Sequence, residues 1–309
     1  MHEWIGCRRA GDRHVDAPGR ADGPLHRVAE AGDRVLGRRE RKPERGDDVD
    51  GGIGERGPAV TIDVPVEGAT YVGQAAWSAD GSRLALVIGR ARHVHAYAGN
   101  GRLYVMDADG SGLRALSPRA TLSAPSWSPD GTQIAAVRNQ GRQLVVVGVD
   151  GSGVRVVAED AGYYQAPAWS SDGRWIAFQS SPDPSSERVT PAVYVIRPDG
   201  TDLRRLTAAN SSEGYPAWSP DSSKIAYSAA ERLWVMNADG SHAAQVTHCR
   251  LPCVADFAPE WSPDGRRIAF VRQEEGGGAL RLYVLHVASG RTTPLTPDQR
   301  WVGGPSWRP

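Results

Sequence analysis

The sequence carries no excess of charge of either sign, since 36 basic residues balance 36 acidic ones in 309 positions. Such a balance creates no extended electrostatic field, so we expect neither nucleic acid nor an anionic membrane as a partner. Long apolar runs are missing as well, because none approaches the roughly 18 residues that a membrane-spanning helix requires. We therefore predict no membrane insertion. Residues 1–20 lack the apolar segment of a secretory signal, which leaves the compartment open.

Cysteine is scarce, with three residues in the chain. Two of them, Cys249 and Cys253, lie close together in a segment that also contains His248. A zinc site usually has two residues between paired cysteines and a second pair elsewhere, whereas three residues separate this pair and no second pair exists. We therefore expect no bound metal. Two alternatives stay open: a local disulfide between Cys249 and Cys253, which an exported protein would form, and two reduced thiols.

One repeated pattern dominates what the sequence does contain. A tryptophan is followed by a serine, a turn that includes an aspartate, and an apolar run such as residues 134–137. Five copies are centred on Trp77, Trp127, Trp169, Trp218 and Trp261, and Trp307 begins a sixth. Successive tryptophans are 50, 42, 49, 43 and 46 residues apart. Periods of this length are typical of propellers and solenoids.

Each repeat predicts four short strands. The first ends at the tryptophan, and the Ser-Pro-Asp-Gly type segment predicts a tight turn into the second. A third run, such as residues 103–106, leads through an Asp-Gly turn to the fourth. These runs are too short for helices and rich in β-branched and aromatic residues. Because they show little polar alternation, the sheets are expected to be covered on both faces, as in blades packed between neighbouring blades.

The repeats resemble those of a known family. Copies of Trp-Ser-Pro-Asp-Gly-x-x-Ile-Ala-Phe, each followed by a hairpin of the Leu-Tyr-Val-Met-Asp-Ala-Asp-Gly type, are similar to the propeller repeats of TolB and its relatives over residues 68–309. The predicted fold is all-β, a β-propeller of four-stranded blades with five complete blades plus a partial sixth that closes the ring. In that sixth blade Trp307 is expected on the inner strand and residues 60–66 on the outer strand, while the two middle strands have no evident source. The resemblance implies a location in the periplasm or outside the cell.

The first 59 residues differ in composition from the rest, being dominated by Arg, Asp, Glu and Gly. Such a segment buries too little apolar surface to offset the entropy lost on ordering. We therefore divide the chain into a disordered head, residues 1–59, and a TolB-like propeller, residues 60–309. An alternative interpretation of the head is a start codon assigned upstream of the true one, since the composition resembles translated GC-rich DNA.

The candidate binding site is expected on one face of the propeller. Strands in a blade alternate in direction, so the short Asp-Gly turns share one face, here named the turn face, and the longer loops share the other, here named the loop-rich face. Irregular loops on a rigid scaffold commonly carry recognition. Aromatic and acidic residues that lead into the inner strands at this face are predicted to contact a partner, with packing between blades as the alternative for the aromatic ones. They are Tyr163, Tyr164, Glu213, Tyr215, Asp256, Phe257, Glu260 and Trp301.

The function implied by the resemblance is that of a non-catalytic scaffold that binds a protein or peptide partner. We expect a monomer without a cofactor and assign no catalytic residue. An aspartate recurs in every first turn, for example Asp130, and this recurrence favours a structural role because a catalytic carboxylate needs one special environment. The alternative function is that of a lyase or hydrolase acting on carbohydrate at the channel mouth. Oligogalacturonate lyases have similar repeats.

Overall fold

A computed structural model describes the chain over these ranges: 4–6, 26–30, 61–64, 71–89, 101–116, 121–138, 141–159, 163–181, 191–208, 214–248, 253–274, 280–295 and 305–307. Within these ranges the regular secondary structure consists entirely of β-strands. None of the described residues forms a helix of the length and apolarity that a bilayer crossing demands. The strands are β1 (Trp4–Gly6), β2 (His26–Glu30), β3 (Thr61–Val64), β4 (Tyr71–Trp77), β5 (Arg83–Gly89), β6 (Arg102–Asp107), β7 (Arg114–Ala115), β8 (Leu122–Trp127), β9 (Gln133–Arg138), β10 (Gln143–Gly148), β11 (Val154–Glu159), β12 (Tyr163–Trp169), β13 (Ile176–Ser181), β14 (Ala192–Ile196), β15 (Arg204–Arg205), β16 (Gly214–Trp218), β17 (Lys224–Ala229), β18 (Arg232–Asn237), β19 (Ala244–Gln245), β20 (Cys253–Trp261), β21 (Arg267–Glu274), β22 (Leu280–His286), β23 (Arg291–Pro294) and β24 (Ser306–Trp307).

Five four-stranded antiparallel sheets follow the chain in order, one per repeat. Blade one is β4–β7, blade two β8–β11, blade three β12–β15, blade four β16–β19 and blade five β20–β23. The first strand of each blade contacts the first strand of the next, from β4 through β8, β12, β16 and β20 to β24, and β24 contacts β4 again. These strands therefore surround a common axis, which confirms the predicted β-propeller.

A sixth sheet combines three strands from residues 4–64 with one strand from residues 306–307, in the order β24-β1-β2-β3. Trp307 lies on its inner strand and residues 61–64 form its outer strand, as the sequence predicted. The two middle strands, for which the sequence offered no source, are Trp4–Gly6 and His26–Glu30. Both lie within the segment predicted to be disordered, and the other residues of 1–59 lie outside the described residues. The domain boundary at residue 60 stays a prediction.

The repeated tryptophans join neighbouring blades. Trp127 packs in a core cluster that contains Ala85, Val87 and Leu103 of blade one together with residues of its own blade. Its indole Nε1 donates a hydrogen bond of 2.9 Å to the backbone oxygen of Ala76, also in blade one. The indoles of Trp218 and Trp307 donate equivalent bonds to Ala168 and Glu260 of the preceding blades, both at 3.1 Å. Each blade therefore covers the face of the blade before it.

The turn after each tryptophan is held by its aspartate. In blade two the Ser128 hydroxyl donates to Asp130 at 2.5 Å, and Asp130 accepts the backbone N–H of Thr132 at 3.0 Å. The hydrogen bond from the Ser128 hydroxyl holds the pKa of Asp130 below its ordinary value. The same serine-to-aspartate bond recurs in the other four blades. The recurrent aspartates therefore have the predicted role in the turn.

Each inner strand of blades one to five contains a β-bulge before its tryptophan, where the register with the second strand shifts. In four blades the residue three positions before the tryptophan has a positive φ, between 45° and 53°: Ala124, Ala166, Tyr215 and Ala258. Positive φ is uncommon for residues other than glycine, but its recurrence makes it a feature of the scaffold. The bulge also redirects the side chains just upstream, at the loop-rich face.

Candidate functional site

The loop-rich face is described mainly at the bases of its loops. Residues 90–100, 182–190, 209–213, 249–252 and 275–279 belong to the loops expected to carry recognition, and they lie outside the described residues. The strand ends that border them are described, so the candidate site is built from these ends. The inner strand β20 of blade five is the longest of the inner strands, at nine residues, and it contributes the most predicted site residues.

The eight predicted site residues fall into three groups. Glu213 and Trp301 lie outside the described residues, and Tyr163 is described only as part of strand β12. Tyr164 and Asp256 are buried, with 3% and 0% of their surface exposed. The remaining three, Tyr215, Phe257 and Glu260, are partly exposed on the inner strands of blades four and five.

Tyr164 lies in the core between blades two and three. Its ring centroid is 5.4 Å from that of Phe178, and its cluster includes Val137 and Leu144 of blade two. Its backbone N–H donates a hydrogen bond to Gly141 of blade two at 2.6 Å. Tyr164 therefore packs between blades, which was the alternative for the aromatic residues. It offers almost no surface to a partner.

Tyr215, on the inner strand of blade four, and Phe257, on the inner strand of blade five, form an aromatic pair. Their ring centroids are 6.2 Å apart and the rings are tilted by 44°. Phe257 packs against Val271 and Leu282 of its own blade, so one side of the pair is anchored. Half-buried aromatic rings on a rigid base are well suited to bind a partner, because little conformational entropy is lost when they are covered.

Asp256 forms a buried ion pair with Arg272, directly opposite it on β21. The guanidinium donates from Nε to Oδ1 at 2.6 Å and from Nη2 to Oδ2 at 2.8 Å. Burial alone would lower the pKa of Arg272, but the hydrogen bonds and charge of Asp256 outweigh it and raise this pKa. The pair is fully engaged, so Asp256 supports the strand and is not free to bind a partner.

Sequence reasoning missed the side chains that extend this pair. Arg272 lies over the ring of Tyr283, with its Cζ atom 4.6 Å from the ring centroid, and the Tyr283 hydroxyl donates to Glu274 at 2.9 Å. Glu274 is also 3.4 Å from Nε of Arg281. The repeat position of Arg272 holds Ile88, Arg138, Ser180 and Ala229 in blades one to four, so an arginine at this position does not by itself distinguish blade five.

Glu260 has the most unusual environment of the predicted residues. It immediately precedes Trp261, where the other repeats carry small residues: Ala76, Ser126, Ala168, Ala217 and Ser306. Its carboxylate takes part in none of the hydrogen bonds or ion pairs found among the described residues. Although the residue is partly exposed, it lies deep in the molecule, and burial raises the pKa of Glu260 to about 8. A carboxyl group that is neutral near pH 7 can donate a proton or, once ionised, attract a cation.

Cys253 begins β20, is 8% exposed and is disulfide-bonded. The two other cysteines, Cys7 and Cys249, lie outside the described residues, so the pairing with Cys249 stays a prediction. The Cys253 sulphur is 3.7 Å from Oδ1 of Asp256. In the part of the chain that the structure describes, no group of three or more His, Cys, Asp and Glu side chains is arranged to hold a metal ion.

Known proteins match the chain over its repeats. The family description PD40, TolB beta propeller domain, matches residues 83–250, more than half of the chain. An uncharacterised protein of Agrobacterium fabrum is 25% identical over 189 residues, which cover 56% of this chain and 62% of that protein. The Tol-Pal system protein TolB of Anaeromyxobacter dehalogenans is 35% identical over 137 residues, or 42% of this chain and 29% of that protein. The chain therefore spans less than two thirds of each relative.

Solved structures share the fold. TolB of Acinetobacter baumannii superposes with a TM-score of 0.58 at 18% identity, covering 75% of this chain and 68% of that one. An oligogalacturonate lyase in complex with manganese superposes with a TM-score of 0.53 at 18% identity, covering 72% and 64%. Both similarities concern the fold, which hosts different functions. By its repeats, its blades and its family match, the chain belongs to the TolB beta-propeller family.

Proposed function

We propose that this propeller is a non-catalytic scaffold that binds a protein or peptide partner through its loop-rich face. The observation that carries the proposal is the partly exposed aromatic pair of Tyr215 and Phe257. In the other described repeats the same two positions before the tryptophan hold small or amide residues, such as Ser123, Ala124 and Gln165. An aromatic pair that the scaffold itself does not require is the type of group that anchors an interface.

The partner is proposed to be a protein of the Tol-Pal type, on the basis of the TolB relative. With this partner the chain would act in the periplasm, as a monomer, without nucleic acid or a membrane-inserted segment. These statements are inferred from a relative, of which this chain covers 29%, and they are part of the proposal.

Calorimetric titration of the purified chain with purified Tol-Pal proteins tests the proposal. Tyr215→Ala suits the local backbone, because alanine already occupies this positive-φ position in blades two, three and five. We expect Tyr215→Ala and Phe257→Ala each to weaken binding by about tenfold or more, as for central interface aromatics. Leu203→Ala is the matched control, since Leu203 follows the second turn of blade three and is 54% exposed at the turn face.

Two outcomes would contradict the proposal. The first is an affinity that the aromatic variants leave unchanged. The second is an equal loss in the Leu203 variant, which would move the interface to the turn face.

Carbohydrate lyase activity is the second candidate, and one observation favours it. A carboxyl with its pKa raised to about 8, as at Glu260, is protonated near neutral pH and suits a general acid. The chain should then release unsaturated products from oligogalacturonate, with or without added manganese, and Glu260→Gln should abolish the release. Such turnover would replace the scaffold proposal.

A further inference from the structure

We infer that Glu260 and Phe257 together form a receptor for one organic cation, an arginine or lysine side chain carried by the peptide partner. This inference rests on the proposed function, since it names the chemistry by which the loop-rich face would recognise its partner. It commits to a cationic side chain because the site combines an aromatic ring with a carboxylate that has no hydrogen-bond or ion-pair partner among the described residues.

Glu260 departs from the residues found at its position in the other repeats, and the fold does not require a glutamate there. Blades one to four tolerate alanine or serine immediately before the tryptophan, so the scaffold requires only a small side chain there. Burial costs this glutamate part of its hydration, and no hydrogen bond from the described residues offsets that cost. Its backbone oxygen does serve the fold, by accepting the Trp307 indole N–H at 3.1 Å, but any residue would supply that oxygen. The carboxylate itself is left for a ligand.

Strand register places Phe257 and Glu260 on the same face of blade five. Phe257 is opposite Val271 and Glu260 is opposite Ala269 on β21. Residues two apart on a strand point to the same side, so Val271 and Ala269 share a face, and the residues opposite them share it too. This face is directed toward blade six, because Ala269 packs in a cluster with Trp307. The ring and the carboxylate therefore lie on the same face of blade five, the face directed toward blade six.

The described cations on elements that pack against β20 are already engaged. On β21, Arg272 is paired with Asp256 on the opposite face, and Arg267 is 3.5 Å from Asp264 and lies over the Trp307 ring at 5.3 Å. In blade four, Lys224 donates to Asn237 at 3.4 Å, and Arg232 donates to backbone oxygens. The described residues of β24, Ser306 and Trp307, carry no charge. An incoming cation would therefore meet no competitor among the described residues.

The experiment uses a capped pentapeptide, Gly-Gly-Arg-Gly-Gly, and a twin in which citrulline replaces arginine. Citrulline keeps the shape of the side chain and removes its charge. We expect saturable binding of the arginine peptide to the full chain by calorimetry or by NMR, and at least about tenfold weaker binding of the citrulline peptide. Glu260→Gln should reduce arginine-peptide binding by a similar factor. Glu159→Gln, which removes the same charge from the exposed outer strand of blade two, should leave it unchanged.

The pH dependence provides a second readout with a defined sign. A cation binds the ionised carboxylate, and burial raises the pKa of Glu260 to about 8. Affinity for the arginine peptide should therefore rise by up to about tenfold per pH unit as pH increases toward the carboxyl pKa, and then level off. Arginine stays charged throughout this range, so the change belongs to the protein. Glu260→Gln should show no such rise.

Several outcomes would overturn the inference. Equal binding of the arginine and citrulline peptides would exclude charge recognition, and unchanged affinity in Glu260→Gln would place the cation elsewhere. Equally tight binding of agmatine, which carries the guanidinium without a peptide, would assign the site to a free organic cation. If the protein partner is lost by Tyr215→Ala and retained by Glu260→Gln, this inference fails and the proposed function stands.

Discussion

Blades one and five have the same strand order and the same serine-to-aspartate bond in the first turn, yet their inner and second strands differ in one cross-strand pair. In blade one the pair on the inner and second strands is Val72 and Ile88. In blade five the corresponding pair is Asp256 and Arg272, an ion pair with the carboxylate fully buried. Both pairs occupy the same position of the repeat, so this position accommodates either two apolar residues or an ion pair. What the blades share specifies the fold, and the positions at which blade five departs are the candidates for function.

The largest expected effect comes from breaking the Asp256–Arg272 pair. Asp256→Ala leaves the Arg272 guanidinium, 11% exposed, without its carboxylate. We expect a loss of about 3–5 kcal/mol in the free energy of unfolding, measured by urea denaturation, because an uncompensated buried charge is costly. The double variant Asp256→Val with Arg272→Ile copies the blade-one pair, and we expect it to be close to the parent or more stable.

This result would also sharpen the comparison between blades. A double variant as unstable as Asp256→Ala would show that blade five needs its ion pair for folding. A stable double variant that loses partner binding would show that the pair instead positions the loop-rich end of β20.

The next effect concerns the pH dependence of stability at Glu260. Burial raises the pKa of this carboxyl from 4.5 to about 8 in the folded protein. The stability associated with the protonated group is present below the unfolded pKa and is lost as pH rises through the folded pKa, at up to about 1.4 kcal/mol per pH unit. We therefore expect Glu260→Gln to gain stability relative to the parent between pH 5 and pH 8, in urea denaturation at each pH.

A glutamate on the exposed edge of another blade supplies the control for this measurement. Glu159→Gln changes the charge on an exposed strand and should follow the parent at every pH. Parallel curves for the parent and Glu260→Gln would mean that the Glu260 carboxyl titrates with an ordinary pKa.

The smallest effect separates two of the repeated tryptophans. The Trp127 indole donates to Ala76, whereas Nε1 of Trp261 is buried and has no hydrogen-bond partner among the described residues. Trp127→Phe and Trp261→Phe remove similar volume, but only the first removes a hydrogen bond. We expect Trp127→Phe to cost about 1 kcal/mol more in thermal or urea unfolding. Equal losses would mean that the indole bonds between blades add nothing to stability beyond packing.

Much of the fold could be predicted from the sequence because the same pattern occurs in five copies. The tryptophan, the Ser-Pro-Asp-Gly turn and the apolar second strand recur, and each has a local physical cause such as the Ser128–Asp130 bond. The middle strands of the sixth blade could not be found in this way. Trp4–Gly6 pairs with a strand at the other end of the described chain, and neither it nor His26–Glu30 carries a copy of the repeat.

The candidate site was predictable only in part. The sequence predicted Phe257, Tyr215 and Glu260 as aromatic and acidic residues that lead into the inner strands, and the structure places them on adjoining inner strands. It could not tell which of the aromatic and acidic residues are already engaged. The burial of Tyr164 against Phe178 and the pairing of Asp256 with Arg272 depend on contacts between strands, which a list of positions before a tryptophan does not contain.

The sixth sheet has a consequence for how the molecule assembles. Trp4 on β1 faces Trp307 on β24, so one short ladder of hydrogen bonds connects positions separated by almost the whole length of the chain. Contacts between residues so distant in sequence form slowly, because the entropy of the intervening polypeptide must be lost first. Blades one to five can each arise from neighbouring residues, whereas the circle can close only after all of them have been made. The pairing of β1 with β24 is therefore expected to be the last step in the formation of the ring.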